Sequence, residues 1–241
     1  MNQETIDYYD KASKSYSELR YKDTFVGFFQ YIFGTRRKVF LELLADIEKD
    51  LPQNATILEI GCADGVLFKA IEKKFPSRFS KMIGVDISQG MIDEAKRQNT
   101  NSRVSFVLRD NLSIEKFDVI IELGVGVYEY EDEWKFISSR LNSDGYIFYT
   151  LTSSKSLYTR FKNKDAYYVK YYKLYKEYER FFSKYFSISN SRVYGLFIPK
   201  LWSIPIIARV LQPVFDWIFK PFQNLFHEKF YLLKKRGESS F

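Results

Sequence analysis

Ile57-Leu58-Glu59-Ile60-Gly61-Cys62-Ala63-Asp64-Gly65 decides the fold of this chain. Thr56 to Ile60 is apolar and rich in β-branched residues apart from Glu59, the pattern of a buried strand. Two glycines follow, and Val66, Leu67, Ala70 and Ile71 then line one face of a helix. Strand, glycine turn and helix form the first unit of a nucleotide-type α/β domain, with a ligand expected at the turn. Gly61 and Gly65 are positions where a Cβ would collide with that ligand, and Asp64 is the expected N-cap of the helix. A dinucleotide fingerprint would read G-x-G-x-x-G and seat a pyrophosphate on the helix N-terminus. Here the pattern is E-x-G-x-x-x-G, which sets a carboxylate two residues before the first glycine. A carboxylate there repels phosphate and suits a ligand that carries an ammonium group.

Downstream, Lys81 to Asp86 reads as a second strand whose terminal acid is placed to bind both hydroxyls of a ribose. Ser88 caps a helix that runs to Gln98. Val104 to Leu108 is the third strand and Phe117 to Glu122 the fourth. A helix through Trp134, Phe136 and Ile137 to Leu141, a turn at 142–145 and a fifth strand, Tyr146 to Leu151, follow. Alternation of strand and helix implies a parallel sheet with ligands at the strand C-termini. Upstream, residues 4–20 are expected to be helical, with Tyr8, Tyr9, Ala12, Tyr16 and Leu19 on one face. Arg36 to Asp50 is a second helix, with Arg36 and Arg37 expected at its surface. In the last third, Tyr168, Tyr171, Tyr172, Tyr175, Tyr178, Phe182 and Tyr185 recur at helical spacing, and residues 186–198 and 226–235 read as strands.

Together these segments resemble the class I S-adenosylmethionine-dependent methyltransferases. Glu59 to Gly65 resembles the family's motif I, with Ala63 where the usual loop has a third glycine. Gly84-Val85-Asp86-Ile87-Ser88, followed by Met91 and Ala95, resembles its second strand and helix, and Phe117-Asp118 its fourth strand. The likeness covers residues 4–151 well and 186–236 loosely. It implies an α/β fold: a seven-stranded Rossmann-like sheet, parallel with an antiparallel terminal hairpin, helices on both faces, and a helical aromatic and basic lid. Residues 1–35 would form an N-terminal helical lid and 36–151 the S-adenosylmethionine-binding core. Residues 152–241 would carry the aromatic helix, the terminal hairpin and an amphipathic insert at 199–225. The implied cofactor is S-adenosyl-L-methionine, and no metal is implied. The resemblance assigns its binding to Glu59, Gly61, Cys62, Ala63, Gly65, Asp86, Ile87, Asp110, Asn111 and Glu122, with Tyr16 of the N-terminal segment nearby. Asp110 would accept the adenine exocyclic N–H.

Methyl transfer from a sulfonium is an in-line displacement, and orientation alone can supply up to roughly 7–11 kcal/mol of it. No fixed catalytic motif is therefore required. An oxygen nucleophile calls for a base, and Tyr128, Glu129 and Tyr130 stand at the exit of the fourth strand, with Glu122 just before them. His227, the only histidine, opens the final strand far along the chain and is not expected to be that base. The family's DNA amino-methylating enzymes carry an N/D-P-P-Y/F run where this chain has Glu122-Leu123-Gly124-Val125. Cytosine-C5 enzymes need a cysteine away from motif I, and the one cysteine is Cys62. Catechol-type enzymes place Asp-Asn after the fifth strand, where this chain has Thr152-Ser153-Ser154. A small-molecule, lipid-linked or saccharide acceptor remains. The competing readings are a non-catalytic scaffold of the same fold and an RNA methyltransferase, the latter suggested by the basic, tyrosine-rich tail.

A single cysteine excludes an intrachain disulfide and points to a reducing compartment. Met1 to Asp10 is polar and acidic, so no leader is expected and the expected place is the cytoplasm or the inner face of a membrane. Residues 1–150 carry 20 Lys and Arg against 24 Asp and Glu, whereas residues 151–241 carry 17 against 6. A basic last third suits an anionic partner, either a phosphate-bearing substrate or an acidic membrane surface. In the insert, Ile207, Val210, Leu211, Val214, Phe215, Ile218, Phe222 and Leu225 recur at steps of three and four, opposite Arg209, Gln212, Asp216, Lys220 and Gln223. Pro199, Pro205, Pro213 and Pro221 should break it into short helices. Charges interrupt it too often for a membrane span. Its apolar face would either close over a substrate pocket or lie in a membrane interface, with Trp202 and Trp217 at headgroup depth.

Overall fold

The computed structural model describes residues 3–21, 27–125, 131–162, 169 and 171–236. The N-terminal segment folds as α1 (Gln3–Ala12), a 3-10 turn and α2 (Tyr16–Arg20). Helix α3 (Phe28–Ile47) begins earlier than the expected Arg36, because Phe28 and Ile32 extend its buried face by two further turns. The expected α/β order then follows: β1 (Thr56–Ile60), α4 (Val66–Lys74), β2 (Lys81–Asp86), α5 (Gln89–Gln98), β3 (Val104–Leu108) and β4 (Phe117–Glu122). No α-helix joins β3 to β4; a single 3-10 turn at Arg109–Asn111 does so. Next come α6 (Glu131–Arg140) and β5 (Leu141–Thr152). The expected turn at 142–145 falls within β5, whose pairing shifts register opposite Phe117 and Val119. The last third holds α7 (Leu157–Lys162), α8 (Tyr175–Phe182), β6 (Phe186–Leu196), α9 (Pro205–Ile218) and β7 (Phe226–Lys235). Helix α7 was not foreseen, and α8 takes up Tyr175, Tyr178 and Phe182 of the tyrosine-rich run, whose Tyr168 lies outside the described residues.

All seven strands form one sheet in the order β3-β2-β1-β4-β5-β7-β6. The first five are parallel, and β7 lies antiparallel between β5 and β6. The order reverses between β1 and β4, so a crevice opens there at the strand C-termini. One face packs Ile57, Val119, Ile121, Phe148, Phe230 and Leu232 under α3, α4 and α5. The other packs Leu58, Ile60, Ile120, Ile147, Tyr149 and Tyr231 under α6 and α8. Alternation along β1 and β4 therefore places Glu59 on the first face and Glu122 on the second.

Residues 199–225 depart from the expected run of short helices. They contain one continuous 14-residue helix, α9, with Pro213 inside it. Pro205 sits at its start, where the missing N–H costs nothing. Its apolar face is turned to solvent. Ala208 and Gln212 are buried, while Ile206, Val210, Trp217 and Phe222 are exposed.

Candidate functional site

The turn after β1 is held in left-handed backbone. Gly61 and Gly65 have φ of 73°, and Ala63 has φ of 48°. A Cβ on Gly61 would strike Val125, and one on Gly65 would come within 2.6 Å of Phe106 Cζ. Protein thus fills the space that both glycines leave, which ties them to backbone shape and packing. Ala63 pays a methyl in a conformation that L-residues avoid. Its N–H is anchored by a 3.0 Å hydrogen bond to Asp86 Oδ2.

Gly65, not Asp64, is the N-cap of α4. Asp64 sits one residue too early for that role, and its carboxylate accepts instead from the N–H (3.1 Å) and hydroxyl of Ser17. A second carboxylate fastens the same N-terminal segment: Asp10 accepts from the Ser88 hydroxyl and from Gly90 N–H at 3.0 Å. These two tethers hold α1 and α2 against the β1 loop and the start of α5. Tyr9 and Tyr16 meet edge to face at 6.1 Å, and the Arg20 guanidinium lies 3.7 Å from the Tyr16 ring. Burial, with the charge of Asp86 as a smaller influence, pushes the Tyr16 hydroxyl up to about 12.

Glu59, Asp64 and Asp86 border the turn. Glu59 is buried in β1, beside Gly84 of β2, which carries no side chain. Its Oε2 has no partner among the described residues. Burial, then the charges of Asp64 and Asp86, raise its carboxyl well above the usual range. Asp86 ends β2, accepting from Ala63 and Ser88 N–H groups, and burial raises it as well. Ile87, next in sequence, is half-buried, and Cys62 is buried with its thiol pushed up by burial. Asp110 and Asn111 are exposed in the turn after β3, at the same edge. Glu122 is buried at the end of β4 with both oxygens unpartnered among the described residues. It faces Glu133 and Arg109, on the opposite side of the sheet from Glu59. Tyr128, Glu129 and Tyr130 lie outside the described residues.

Two residues gain a place that their sequence positions concealed. Arg36, expected at the surface, is buried and makes a bidentate pair with Glu228 at 3.0 and 2.6 Å, with the Tyr194 hydroxyl on the same carboxylate. Its guanidinium fills the space beside Gly124, where a Cβ would come within 2.6 Å of Nη1. His227 adjoins Glu228, which pairs with Thr152 at the end of β5, so it stands at the edge where the parallel strands end. It is buried against Tyr158 (4.9 Å), Phe28 (6.0 Å) and Phe29 (6.3 Å). Its Nδ1 is unpartnered among the described residues, and burial lowers the imidazole to about 4. The signal was available: an antiparallel last strand must begin where its parallel neighbour ends.

Residues 57–141 match the family model described as "Methyltransferase domain". Over 72 residues the chain is 46% identical to malonyl-[acyl-carrier protein] O-methyltransferase of Priestia megaterium. Residues 57–141 are thus a methyltransferase domain. That aligned stretch is 29% of this chain and 26% of the Priestia protein, so the match spans about a quarter of that relative. The methyltransferase fold itself extends through the whole molecule. N-methyltransferase NodS from Bradyrhizobium japonicum, solved with S-adenosyl-L-homocysteine, superposes with a TM-score of 0.61 at 15% identity, covering 97% of this chain and 99% of its own. Haemonchus contortus phosphoethanolamine N-methyltransferase 2, solved with S-adenosyl-L-methionine, gives 0.58 at 15% identity, covering 94% of this chain and 60% of its own.

Proposed function

We propose that this methyltransferase binds S-adenosyl-L-methionine at the β1 turn and catalyses methyl transfer to a small-molecule, lipid-linked or saccharide acceptor. The observation that carries the reading is the buried, unpartnered Oε2 of Glu59 at a turn bordered by Asp64 and Asp86. A buried acid with a free oxygen needs a donor, and an ammonium group meets that need where a phosphate would be repelled. Asp86 is the residue for a ribose diol, and Asp110 with Asn111 for an adenine edge. Gly61, Cys62, Ala63, Gly65 and Ile87 shape the wall through backbone and packing. Tyr16 covers the site from the lid, and Glu122 flanks it from the other face of the sheet. S-adenosylmethionine supplies, when bound, a methyl group already activated on sulfonium sulfur.

The chain's own task is then to exclude water and orient the acceptor. Phe28, Phe29, Tyr158 and His227 pack as one aromatic cluster at the end of β5, and its exposed ring, Phe29, offers a surface to an apolar or aromatic acceptor group. His227, neutral there, joins Tyr128, Glu129 and Tyr130 as a candidate to accept an acceptor's proton. The Priestia relative is named for O-methylation and the two structural neighbours for N-methylation, which supports methyl transfer as the shared chemistry.

Calorimetric titration of the purified chain with S-adenosylmethionine tests this. Micromolar binding is expected, weakened at least about tenfold by Asp86→Ala, the equivalent of one charge-assisted hydrogen bond. A folded wild type that binds none would leave the non-catalytic scaffold as the better reading.

A further inference from the structure

We propose that the outward face of α9 docks on an anionic phospholipid membrane. The helix is inverted relative to a core helix. Its inward side is polar: Asp216 accepts from the N–H groups of Gly195 and Leu196 (2.9 Å each), the Tyr31 hydroxyl (2.8 Å) and Gln212 (2.8 Å). Gln212 donates in turn to Leu196 O at 2.7 Å and accepts from Trp202 Nε1 at 3.0 Å. Every one of these bonds would break if the helix rolled its apolar side inward. The exposed apolar face is therefore fixed in place by the fold.

That face is large and continuous along the helix. Ile206 is 80% exposed, Val210 69%, Val214 48% and Trp217 76%, with Phe222 at 61% just beyond the end. Left in water it is costly, since isolated apolar patches of this kind mark interaction sites. Its charge pattern selects the occupant. Residues 199–225 carry Lys200, Arg209 and Lys220 and one acid, Asp216, which is turned inward. Lys200 and Lys220 are exposed at the two ends of the apolar face. An apolar strip with an exposed tryptophan and cations at its ends matches acyl chains bordered by anionic headgroups. A second copy would fit less well: a two-fold contact sets each patch against itself and brings like charges together. Among the described residues no helix is long and apolar enough to cross a membrane, so the contact is superficial.

The docking face also adjoins the aromatic cluster. Trp202, in the turn that leads into α9, meets Phe28 at 6.0 Å, and Phe28 meets Tyr158 and His227. The proposal does not depend on methyl transfer, and its test reads membrane binding directly.

Full-length protein is floated with vesicles of equal parts phosphatidylcholine and phosphatidylglycerol, and separately with phosphatidylcholine alone. Binding to the mixed vesicles, reduced by salt and nearly absent on phosphatidylcholine, is expected. A blue shift of tryptophan emission should accompany it and vanish in Trp217→Phe, because Trp134 is buried and Trp202 half-buried. The double variant V210D/V214D should weaken partition about tenfold or more. Both positions are exposed, so it should keep the wild-type melting temperature and S-adenosylmethionine affinity. Failure to bind mixed vesicles at low salt overturns the proposal, as does full binding by V210D/V214D. Lipid-free self-association that shields Trp217 would assign the face to a second copy and overturn it as well.

Discussion

Ala63 occupies left-handed backbone where a glycine would sit without strain. Relieving that strain is worth about 1–2 kcal/mol, less about 0.4–1 kcal/mol for the added freedom of the unfolded chain. Ala63→Gly should therefore stabilise the protein by roughly 0.5–1 kcal/mol in chemical denaturation. His227 makes a pH-dependent contribution of known sign. Its imidazole titrates near 6.5 when unfolded and about 4 in the fold, because burial disfavours the cation. Between those values the unfolded chain holds a proton that the folded chain lacks. The stability contributed is complete above the unfolded value and is lost as pH falls toward the folded one. The full shift corresponds to about 3 kcal/mol. Unfolding free energies measured from neutral to acid pH should fall less steeply in His227→Asn than in the wild type.

At the scale of elements, the Arg36–Glu228 pair binds α3 to β7, and Tyr194 brings in β6. Truncating one member leaves a buried charge without compensation, which costs about 3–5 kcal/mol. Arg36→Ala should lower the denaturant midpoint accordingly, and pairing it with Glu228→Gln should recover much of the loss. Periodicity predicted α3 only from Arg36 onward because Tyr31, Gly34 and Thr35 blur the apolar stripe before it. Arg36 was read as surface because the chain alone does not show which carboxylate will face it. The same gap explains α9. Its apolar spacing was legible, but a hydrophobic pattern states only that two faces differ. Which face turns inward was decided by Asp216 and Gln212, whose partners are edge-strand N–H groups at Gly195 and Leu196 and the Leu196 carbonyl.

For the whole molecule, ligand binding and folding are linked. If S-adenosylmethionine binds only the folded state, a concentration one hundred times its Kd adds about 2.7 kcal/mol. For a chain of this size that raises the melting temperature by about 5–10 °C. A thermal shift should show that rise in the wild type and little of it in Asp86→Ala. The charge asymmetry between the acidic first 150 residues and the basic remainder also belongs to this scale. It leaves the C-terminal third net basic and does not influence the strand order.

The chain by itself determined the architecture from β1 to β5, because buried parallel strands, turn glycines and helix caps are local signals. It also placed Glu59, Asp86, Asp110 and Glu122 at or next to strand ends, because strand boundaries are local signals too. Only the tertiary structure set Glu59 and Glu122 on opposite faces, moved Asp64 from cap to tether, brought His227 to the end of β5 and turned α9 outward. Each of these depends on a partner distant in sequence: Ser17 for Asp64, Thr152 for the strand that His227 opens, Leu196 for Gln212. Sequence periodicity reports how a segment divides its own faces. The choice of neighbour is made by polar groups that must be satisfied once those faces are buried.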